Sequence, residues 1–381
     1  MITGRRTAGR GSWRNWAGNQ RATGVDVVHP ADAAQIAETL VRAAESGRRV
    51  RPVGSGHSFT PIARPEDVQL VLDRHAALVE VGATGLVTVQ AGMPLHRLNA
   101  ELASRGWSLT NLGDIDRQTV SGALSTGTHG TGAAFGGLAT QVRAVQLVLP
   151  DGSRLRCSAD ENPDVFAAAR IGLGALGVLD TVTLQAEPAF ALRAEEGPAR
   201  LGELLEGFDD FMTSTDHVEF YWFPHTDRAM TKSNTRLPGD APRHPLSPVG
   251  KWVDDSLVGS GLHQLAVSVG RMLPPVVPAI NRTSVRVWGD REFTDASHRV
   301  FATTRTVRFR EMEYAVPAAD VASAFEALQT LIDDRGWRIS FPVEVRFAAA
   351  DDVWMSTGFG RASGYIAVHR YWRGDPTEDF D

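Results

Sequence analysis

The sequence predicts an α+β protein of two domains, and three observations support this. A chain of 381 residues is longer than one ordinary hydrophobic core requires. Strand-like and helix-like segments mix in the first half around glycine-rich loops, whereas alternating strands dominate after residue 185. We therefore place the two domains at residues 1–185 and 186–381.

The first unit of the chain is a strand, a helix and a strand. Residues 25–28 and 49–53 have the β-branched composition of short strands, and residues 32–46 form an amphipathic helical pattern. Asp32 suits the helix cap and Gly47 its end. This predicts a small α/β unit that leads into a glycine-rich turn.

The remaining elements follow from the same hydrophobic patterns. In the first domain these are strands at 68–72 and 87–90, a helix at 95–105 and a hairpin of 142–149 with 154–158. In the second domain they are a helix at 201–212 and strands at 218–223, 309–314, 341–347 and 365–371. The proline-rich stretch 234–250 predicts a surface loop.

Composition excludes several classes of function. The formal net charge of -6 argues against a nucleic-acid surface, which needs clustered positive charge. The single cysteine, Cys157, allows no intrachain disulfide and no thiolate cluster for zinc or iron–sulfur, so we assign no metal site. These features favour a reducing compartment, and we expect a cytoplasmic protein.

Two segments are candidates for a signal peptide or a membrane span, and the sequence predicts neither. Polar residues 11–15 stand where a signal peptide needs an apolar run. The most apolar long stretch, 257–280, is interrupted by Arg271, Pro274, Pro275 and Pro278. Peripheral contact with a membrane surface stays open.

The turn at 54–58 directly follows a predicted strand. Its glycines let the backbone approach a ligand, and successive N–H groups in such a turn can bind a pyrophosphate. An ordinary glycine turn explains the five residues equally well. They are Gly54, Ser55, Gly56, His57 and Ser58.

Residues 172–177 match the dinucleotide pattern G-x-G-x-x-G. That motif must follow a strand and open a helix, but here a helix-like stretch precedes it and a strand follows. We therefore reject an NAD site and expect close backbone packing or contact with a flat ligand.

A third segment, 119–132, consists almost wholly of small and hydroxyl-bearing residues. Small side chains let a planar ring or a second phosphate lie against the backbone, and the hydroxyls supply hydrogen bonds. His129 within it suits an orienting role, tied to a loop carbonyl, better than a catalytic one.

Together the three glycine-rich segments resemble the FAD domain of vanillyl-alcohol-oxidase-type flavoproteins, above all the aldonolactone oxidoreductases that act on L-gulono- or D-arabinono-1,4-lactone. The resemblance spans nearly the whole chain. It implies a PCMH-type FAD-binding domain of two subdomains, followed by a mixed α/β substrate (cap) domain. The implied cofactor-binding residues are Gly54, Ser55, Gly56, His57, Ser58, Ser121, Gly122, Thr126, Gly127, His129, Gly130, Gly177 and Val178.

The family's histidine in the G-H-S turn often bonds covalently to the flavin, and His57 stands at that position. Some members bind FAD without the bond, so this alternative stays open. Relatives with two links use an extra cysteine, but Cys157 lies in the second strand of the predicted hairpin. The resemblance therefore implies a single histidyl link.

Two predicted strands carry the candidate substrate residues. In 341–347 the apolar residues alternate, so Glu344 and Arg346 share the other face. Such pairs are commonly surface salt bridges, but the E-x-R pattern resembles the family's active-site strand. The resemblance also implies that His369, on strand 365–371, turns toward the substrate, although a packed core histidine remains an alternative.

The resemblance implies oxidation of a sugar-derived alcohol by hydride transfer to covalent FAD, with an aldono-1,4-lactone as substrate. Arg346 would stabilise the developing negative charge, and Glu344 would orient hydroxyls with His369. Oxygen or another acceptor would re-oxidise the flavin. The alternatives are an alditol oxidase for open-chain polyols and a flavin-binding protein with little turnover.

The last alternative depends on the end of the chain. Relatives carry a stretch with H-W-G-K, whose lysine reaches the substrate hydroxyl, whereas this sequence ends with residues 373–381 at that point. Neither Lys232 nor Lys251 lies in a comparable motif. We therefore expect a second domain truncated at its C-terminus, weak FAD binding or slow turnover, and no lysine in the family's role.

Overall fold

The computed structural model describes residues 10–247, 268–287, 289–303 and 307–373, and it confirms the α+β class. The helices are α1 Ala33–Glu45, α2 Leu95–Ala103, α3 Val120–Ser125, α4 Pro163–Ala169, α5 Leu201–Glu206, α6 Phe208–Thr213, α7 Val277–Val287, α8 Ser297–Phe301 and α9 Val321–Asp334. The strands are β1 Arg10–Arg14, β2 Arg21–Val28, β3 Val50–Pro52, β4 Val68–Leu70, β5 Leu78–Val81, β6 Leu86–Gln90, β7 Trp107–Ser108, β8 Val142–Val148, β9 Arg154–Ser158, β10 Val178–Gln185, β11 Glu187–Pro188, β12 Ala191–Arg200, β13 His217–Trp222, β14 Arg228–Leu237, β15 Arg291–Ala296, β16 Phe309–Pro317, β17 Val343–Ala348 and β18 Ser363–Tyr371.

The first sheet has the strand order β1-β2-β4-β3, and β4 is parallel to both of its neighbours. The helix α1 begins as predicted, because the side chain of Asp32 accepts a hydrogen bond of 2.8 Å from Gln35 N–H. Gly47 follows the helix with φ +64°, a conformation that favours glycine. Because β3 is an edge strand, the glycine-rich turn that follows it lies at the edge of this sheet.

The second sheet is antiparallel, with the order β5-β6-β10-β8-β9. The predicted hairpin is confirmed as β8 and β9, which pair from Ala144 with Ser158 to Val148 with Arg154. These two small sheets, with α1 to α4, correspond to the two subdomains that the family resemblance implies. One hydrophobic cluster includes buried side chains of both, such as Leu70 of β4 and Val182 of β10, and extends to Leu192 of β12 in the third sheet.

The third sheet is built wholly after residue 190, with the antiparallel order β15-β12-β14-β13-β17-β18-β16. The helix α9 covers one face, where Phe325 packs edge-on against Phe220 and Trp222. The strands β14, β13 and β17 lie at its centre and carry the charged side chains of Lys232, Glu219 and Arg346.

Several elements of the third sheet differ from the predictions. The predicted helix at 201–212 divides at Gly207 into α5 and α6. The predicted loop at 234–250 is partly wrong, since β14 continues to Leu237, and residues 248–250 lie outside the described residues. Buried polar residues such as Lys232 and Asn234 hide the alternation of β14, which explains why the sequence pattern missed this strand.

Among the residues that the structure describes, no helix combines the length and apolar character needed to cross a membrane. Residues 277–280 of the apolar stretch form the start of α7. Residues 257–267 of that stretch, and residues 374–381 of the chain end, lie outside the described ranges.

Candidate functional site

A cleft of about 320 Å³ opens where the glycine-rich segments meet. Its walls come from the turn after β3, from α3 and from the loop before β10. Residues 172–174, of the rejected dinucleotide motif, also face it. The predicted cofactor residues that line the cleft are Gly54, Ser55, Gly56, His57, Ser58, Ser121, Gly122, Thr126, Gly177 and Val178.

Thr119 brings two walls of the cleft together. It caps α3, and its hydroxyl accepts a hydrogen bond of 3.1 Å from Gly122 N–H. A Cβ added to Gly54 would lie 2.6 Å from the same hydroxyl oxygen. The turn can reach α3 this closely because residue 54 has no side chain.

Three predicted residues, Gly127, His129 and Gly130, lie outside the cleft lining. Gly127 follows α3 with φ +70°. A Cβ at Gly130 would lie 2.2 Å from the carbonyl oxygen of Leu112. His129 turns toward the third sheet, where Nε2 is 3.0 Å from Glu313 Oε2, so this segment connects the cleft with that sheet.

His129 has two further contacts at the third sheet. Its ring stacks on Tyr365 with 3.7 Å between centroids. Nδ1 is 2.8 Å from the carbonyl oxygen of Gly130, which is the loop-carbonyl contact expected of an orienting histidine. Burial opposes protonation, but the attraction of Glu313 outweighs it and raises the pKa of His129.

His57 lines the cleft and stacks on Trp16, with 5.4 Å between the ring centroids. Burial lowers the pKa of His57, and the charge of Asp114 opposes this only in part. The imidazole is therefore mostly neutral at pH 7, with one nitrogen lone pair available.

The third sheet holds a buried polar cluster, in which Glu344 and Arg346 are 5% and 8% exposed. The two side chains form an ion pair, and Tyr221 donates a hydrogen bond of 3.1 Å to Glu344 Oε1. Arg346 Nε donates to Glu219 Oε2 at 3.1 Å, and Arg346 Nη2 lies 3.4 Å from Asp114 Oδ2. This burial rules out an exposed surface salt bridge.

The carboxylates of the cluster differ in their affinity for protons. Burial raises the pKa of Glu344 to about 7, helped by the negative charges of Asp114 and Glu219 and opposed by Arg346. Burial also acts on Glu219, but Lys232 and Arg346 outweigh it and lower the pKa of this group. Glu219 is thus ionised at neutral pH, whereas Glu344 is poised between its two forms.

His369 is both packed and turned toward the cluster. Its ring lies edge-on to Phe309, with 4.9 Å between centroids, and Nδ1 is 3.2 Å from the carbonyl oxygen of Pro342. Nε2 is 3.7 Å from Glu311 Oε2 and 3.8 Å from Glu344 Oε2. His369 therefore has contacts that fit a packed core histidine and others that fit a histidine directed at the polar cluster.

The polar cluster lies close to His57, which lines the cleft. Trp16 stacks on His57 and lies edge-on to Phe309 at 5.1 Å between centroids, and Phe309 in turn contacts His369. Asp114 acts on the charge of His57 and contacts Arg346 as well. A ligand group held near His57 would thus face the cluster.

Sequence reasoning missed Asp114, Glu219, Tyr221 and Lys232. The alternation of β13 places Glu219 and Tyr221 on one face, so that signal was present in the sequence. Lys232 lies in no recognisable motif, yet its Nζ is 3.4 Å from Glu219 Oε1. The structure therefore places a buried lysine beside the cluster.

The model of the D-arabinono-1,4-lactone oxidase family matches residues 182–380, and that of an FAD binding domain matches residues 26–158. The chain is 40% identical over 360 residues to L-gulono-1,4-lactone dehydrogenase of Mycobacterium tuberculosis, covering 94% of this chain and 83% of that protein. It is 32% identical over 365 residues to L-gulonolactone oxidase of Bos taurus, covering 94% and 81%.

A solved structure of cholesterol oxidase from B. sterolicum superposes with a TM-score of 0.82 at 18% identity, covering 97% of this chain and 80% of that one. At this level of identity the likeness concerns the fold alone.

Proposed function

The chain belongs to the family of D-arabinono-1,4-lactone oxidases and related aldonolactone oxidoreductases, and from this premise we propose that it oxidises L-gulono-1,4-lactone or a close aldono-1,4-lactone. It is an FAD-linked oxidoreductase that acts on CH–OH groups. The observation that carries the proposed substrate class is the buried Glu344–Arg346 pair, which Asp114 connects with His57 of the cleft.

The residues of the cleft fit FAD. Glycines at 54, 56, 172, 174 and 177 expose backbone to a flat ligand, and Ser121 and Thr126 add hydroxyl groups. Apolar side chains such as Val53 and Leu147 complete the lining. When bound, FAD accepts the hydride that leaves the carbinol carbon. Residues 1–185 would hold this cofactor, and residues 186–381 would supply the substrate site.

We assign His57 as the residue that attaches the flavin covalently. Its half-buried ring stacks on Trp16, and its lowered pKa leaves a neutral nitrogen that can form a bond. The other cleft residues at 54–58, 121, 122, 126, 177 and 178 would contact the cofactor directly. Gly127, His129 and Gly130 would support that wall from behind.

Arg346 would bind the substrate hydroxyl oxygen whose carbon donates the hydride. This hydroxyl loses its proton in the reaction. Nη2 of Arg346 forms an ion pair with Glu344 and lies 3.4 Å from Asp114 Oδ2. A substrate oxygen bound beside this nitrogen would lie next to the guanidinium charge, which would stabilise a developing alkoxide.

Glu344 would orient the substrate hydroxyls and receive a proton. With a pKa of about 7, it can accept a proton near neutral pH without large cost. Tyr221 holds one of its oxygens, and His369 lies 3.8 Å from the other. The arrangement suits a compact polyol ring, whose adjacent hydroxyls can contact both Glu344 and Arg346.

The test is anaerobic mixing of the purified flavoprotein with L-gulono-1,4-lactone, D-arabinono-1,4-lactone and an open-chain polyol. We expect the lactones to bleach the flavin absorbance faster than the polyol does. Faster bleaching by the polyol would instead favour an alditol oxidase, and no bleaching by any of them would contradict the proposal. Admission of air afterwards shows whether oxygen serves as the electron acceptor.

A further inference from the structure

Charged side chains of alternating sign form a row across the third sheet, and we call them the charge row: Arg291, Glu196, Lys232, Glu219 and Arg346. Strand pairing places Glu196 opposite both Arg291 and Lys232, and Glu219 opposite Lys232. Arg291 forms an ion pair with Glu196. The row ends at Arg346, whose Nε donates to Glu219 at 3.1 Å.

Most of the row is shielded from water. Glu196, Lys232 and Glu219 are 6%, 8% and 5% exposed. Removing one partner of a buried ion pair leaves an uncompensated charge and is strongly unfavourable. Each of these buried charges is instead compensated by a neighbour of opposite sign.

Glu219 is the member on which Arg346 depends. Lys232 approaches it from β14 and Arg346 from β17, while Tyr221 lies on its own strand. Asp114 and Glu344 add negative charge nearby, and His217 is a buried histidine whose pKa is lowered to about 4, which leaves it neutral. The two cations, with a smaller contribution from the hydroxyl of Tyr221, thus keep this carboxylate charged.

We propose that Lys232 is a positioning residue for the reaction: it keeps Glu219 ionised, so that Glu219 fixes the Nε edge of Arg346 and leaves the Nη2 nitrogen for Glu344 and the substrate. The inference rests on the proposed function, because Arg346 is taken to face the substrate. Nζ of Lys232 is also 3.3 Å from the carbonyl oxygen of Val300, which anchors the ammonium group beside Glu219.

Without Lys232, Glu219 keeps only one of its two cations. Burial then favours its protonated form, and a neutral carboxyl group binds the guanidinium less tightly. Arg346 would turn further toward Glu344 and Asp114, so the substrate-facing nitrogen would lose its position. The defect should grow as pH falls and Glu219 takes up a proton.

The test uses the holoenzyme with Lys232→Met, Lys232→Arg, Glu219→Gln and the double variant Lys232→Met/Glu219→Gln. Arg236→Met is the matched control, because Arg236 lies on the same strand and pairs with Glu187 outside the charge row. The first readout is the pH profile of flavin reduction by the lactone. The second, which needs no substrate, is the melting temperature between about pH 5 and pH 8.

In Lys232→Met we expect kcat/KM to fall roughly tenfold at neutral pH and further at lower pH, with flavin content unchanged. In the wild type the pKa of Glu219 is lower in the folded protein than in the unfolded chain. Ionised Glu219 therefore stabilises the fold at pH values above its unfolded pKa, and this stabilisation is lost as pH falls through its folded pKa. A raised pKa in the variant reverses this sign, so its melting temperature should decline relative to the wild type as pH rises.

Lys232→Arg should restore both profiles, Arg236→Met should leave both pH dependences unchanged, and Glu219→Gln should abolish the effect of Lys232→Met. If Lys232→Met does not fold, Lys232→Gln replaces it, since its amide can still reach the Val300 carbonyl. Wild-type pH profiles in the folded variant would overturn the inference. Failure of all lactones to reduce the wild-type flavin would instead refute the proposed function, and the melting series would then show separately whether Lys232 keeps Glu219 ionised.

Discussion

Asp114 Oδ2 lies 3.4 Å from Nη2 of Arg346, and the charge of the same carboxylate reaches His57. One side chain from the loop before α3 therefore acts both on His57 in the cleft and on the polar cluster. Its negative charge also raises the pKa of Glu344. The ionisation of the cluster and the cleft is thus linked through a residue that no local motif marks.

The first prediction concerns Asp114→Asn. Loss of this charge should lower the pKa of Glu344 from about 7, because one of the groups that raise it is gone. Glu344 would then ionise at lower pH, and the acid limb of the pH profile of flavin reduction should shift to lower pH. Asp320→Asn, an exposed carboxylate on the same protein, is the control. An unshifted acid limb would show that another group controls it.

The second prediction concerns Arg346→Ala. Loss of a positioned charge-stabilising donor typically lowers the rate about a hundred- to thousand-fold, so flavin reduction should slow to that extent while FAD content stays unchanged. Stopped-flow absorbance with the lactone measures the first, and the visible spectrum the second. The exposed Arg361→Ala is the matched control. Unchanged reduction kinetics would make Glu344 and Arg346 a purely structural pair.

The third prediction concerns His57→Ala. The wild type should remain yellow in the pellet after acid precipitation, whereas the variant should release its flavin, because the attached nitrogen is gone. His29→Ala provides a control at an exposed histidine. Complete release of flavin from the wild type would assign His57 to the turn alone, without a covalent bond.

The fourth prediction concerns His75, whose Nε2 is 2.7 Å from Asp180 Oδ1 in the interior beside the cleft. The hydrogen bond with Asp180 outweighs burial and raises the pKa of His75. Protonated His75 therefore stabilises the folded protein below about pH 6.5, the usual pKa of histidine. This stabilisation is lost as pH rises through the higher pKa of His75 in the folded state.

Breaking this buried pair by His75→Ala should lower the free energy of unfolding by about 3 to 5 kcal/mol at pH 6, with a smaller loss at pH 8. Urea unfolding at both values of pH measures this difference. His96→Ala, a partly buried histidine on α2, controls for the loss of an imidazole. An equal loss at both values of pH would mean that His75 contributes by packing and not by charge.

The glycine-rich walls of the cleft could be predicted from the sequence because their chemistry is local. Close backbone approach needs glycine at fixed positions, so Gly54 and Gly56 are visible without any knowledge of the fold. The Glu344–Arg346 face was also predictable, since a strand alternates with a period of two. Both predictions depend on residues only a few positions apart.

The rest of the site depends on which strands become neighbours. Glu219 meets Lys232 and Arg346 only because β13 lies between β14 and β17, and no pattern within one segment specifies that order. Lys232 was hidden further because its strand carries several buried polar residues and lacks the apolar alternation of a half-buried strand. Asp114 comes from a loop with no regular period.

Because the charge row is shielded from water, it should respond to ionic strength differently from the exposed ion pairs of the protein. Dissolved ions weaken attraction between exposed charges over about 10 Å at 0.1 M salt, but they screen buried pairs far less. An exposed pair such as Arg49 with Glu66, at 2.7 Å, should fade as salt is added. The row from Glu196 to Arg346 should not, so the electrostatic setting of Arg346 should stay nearly constant across media of very different salinity.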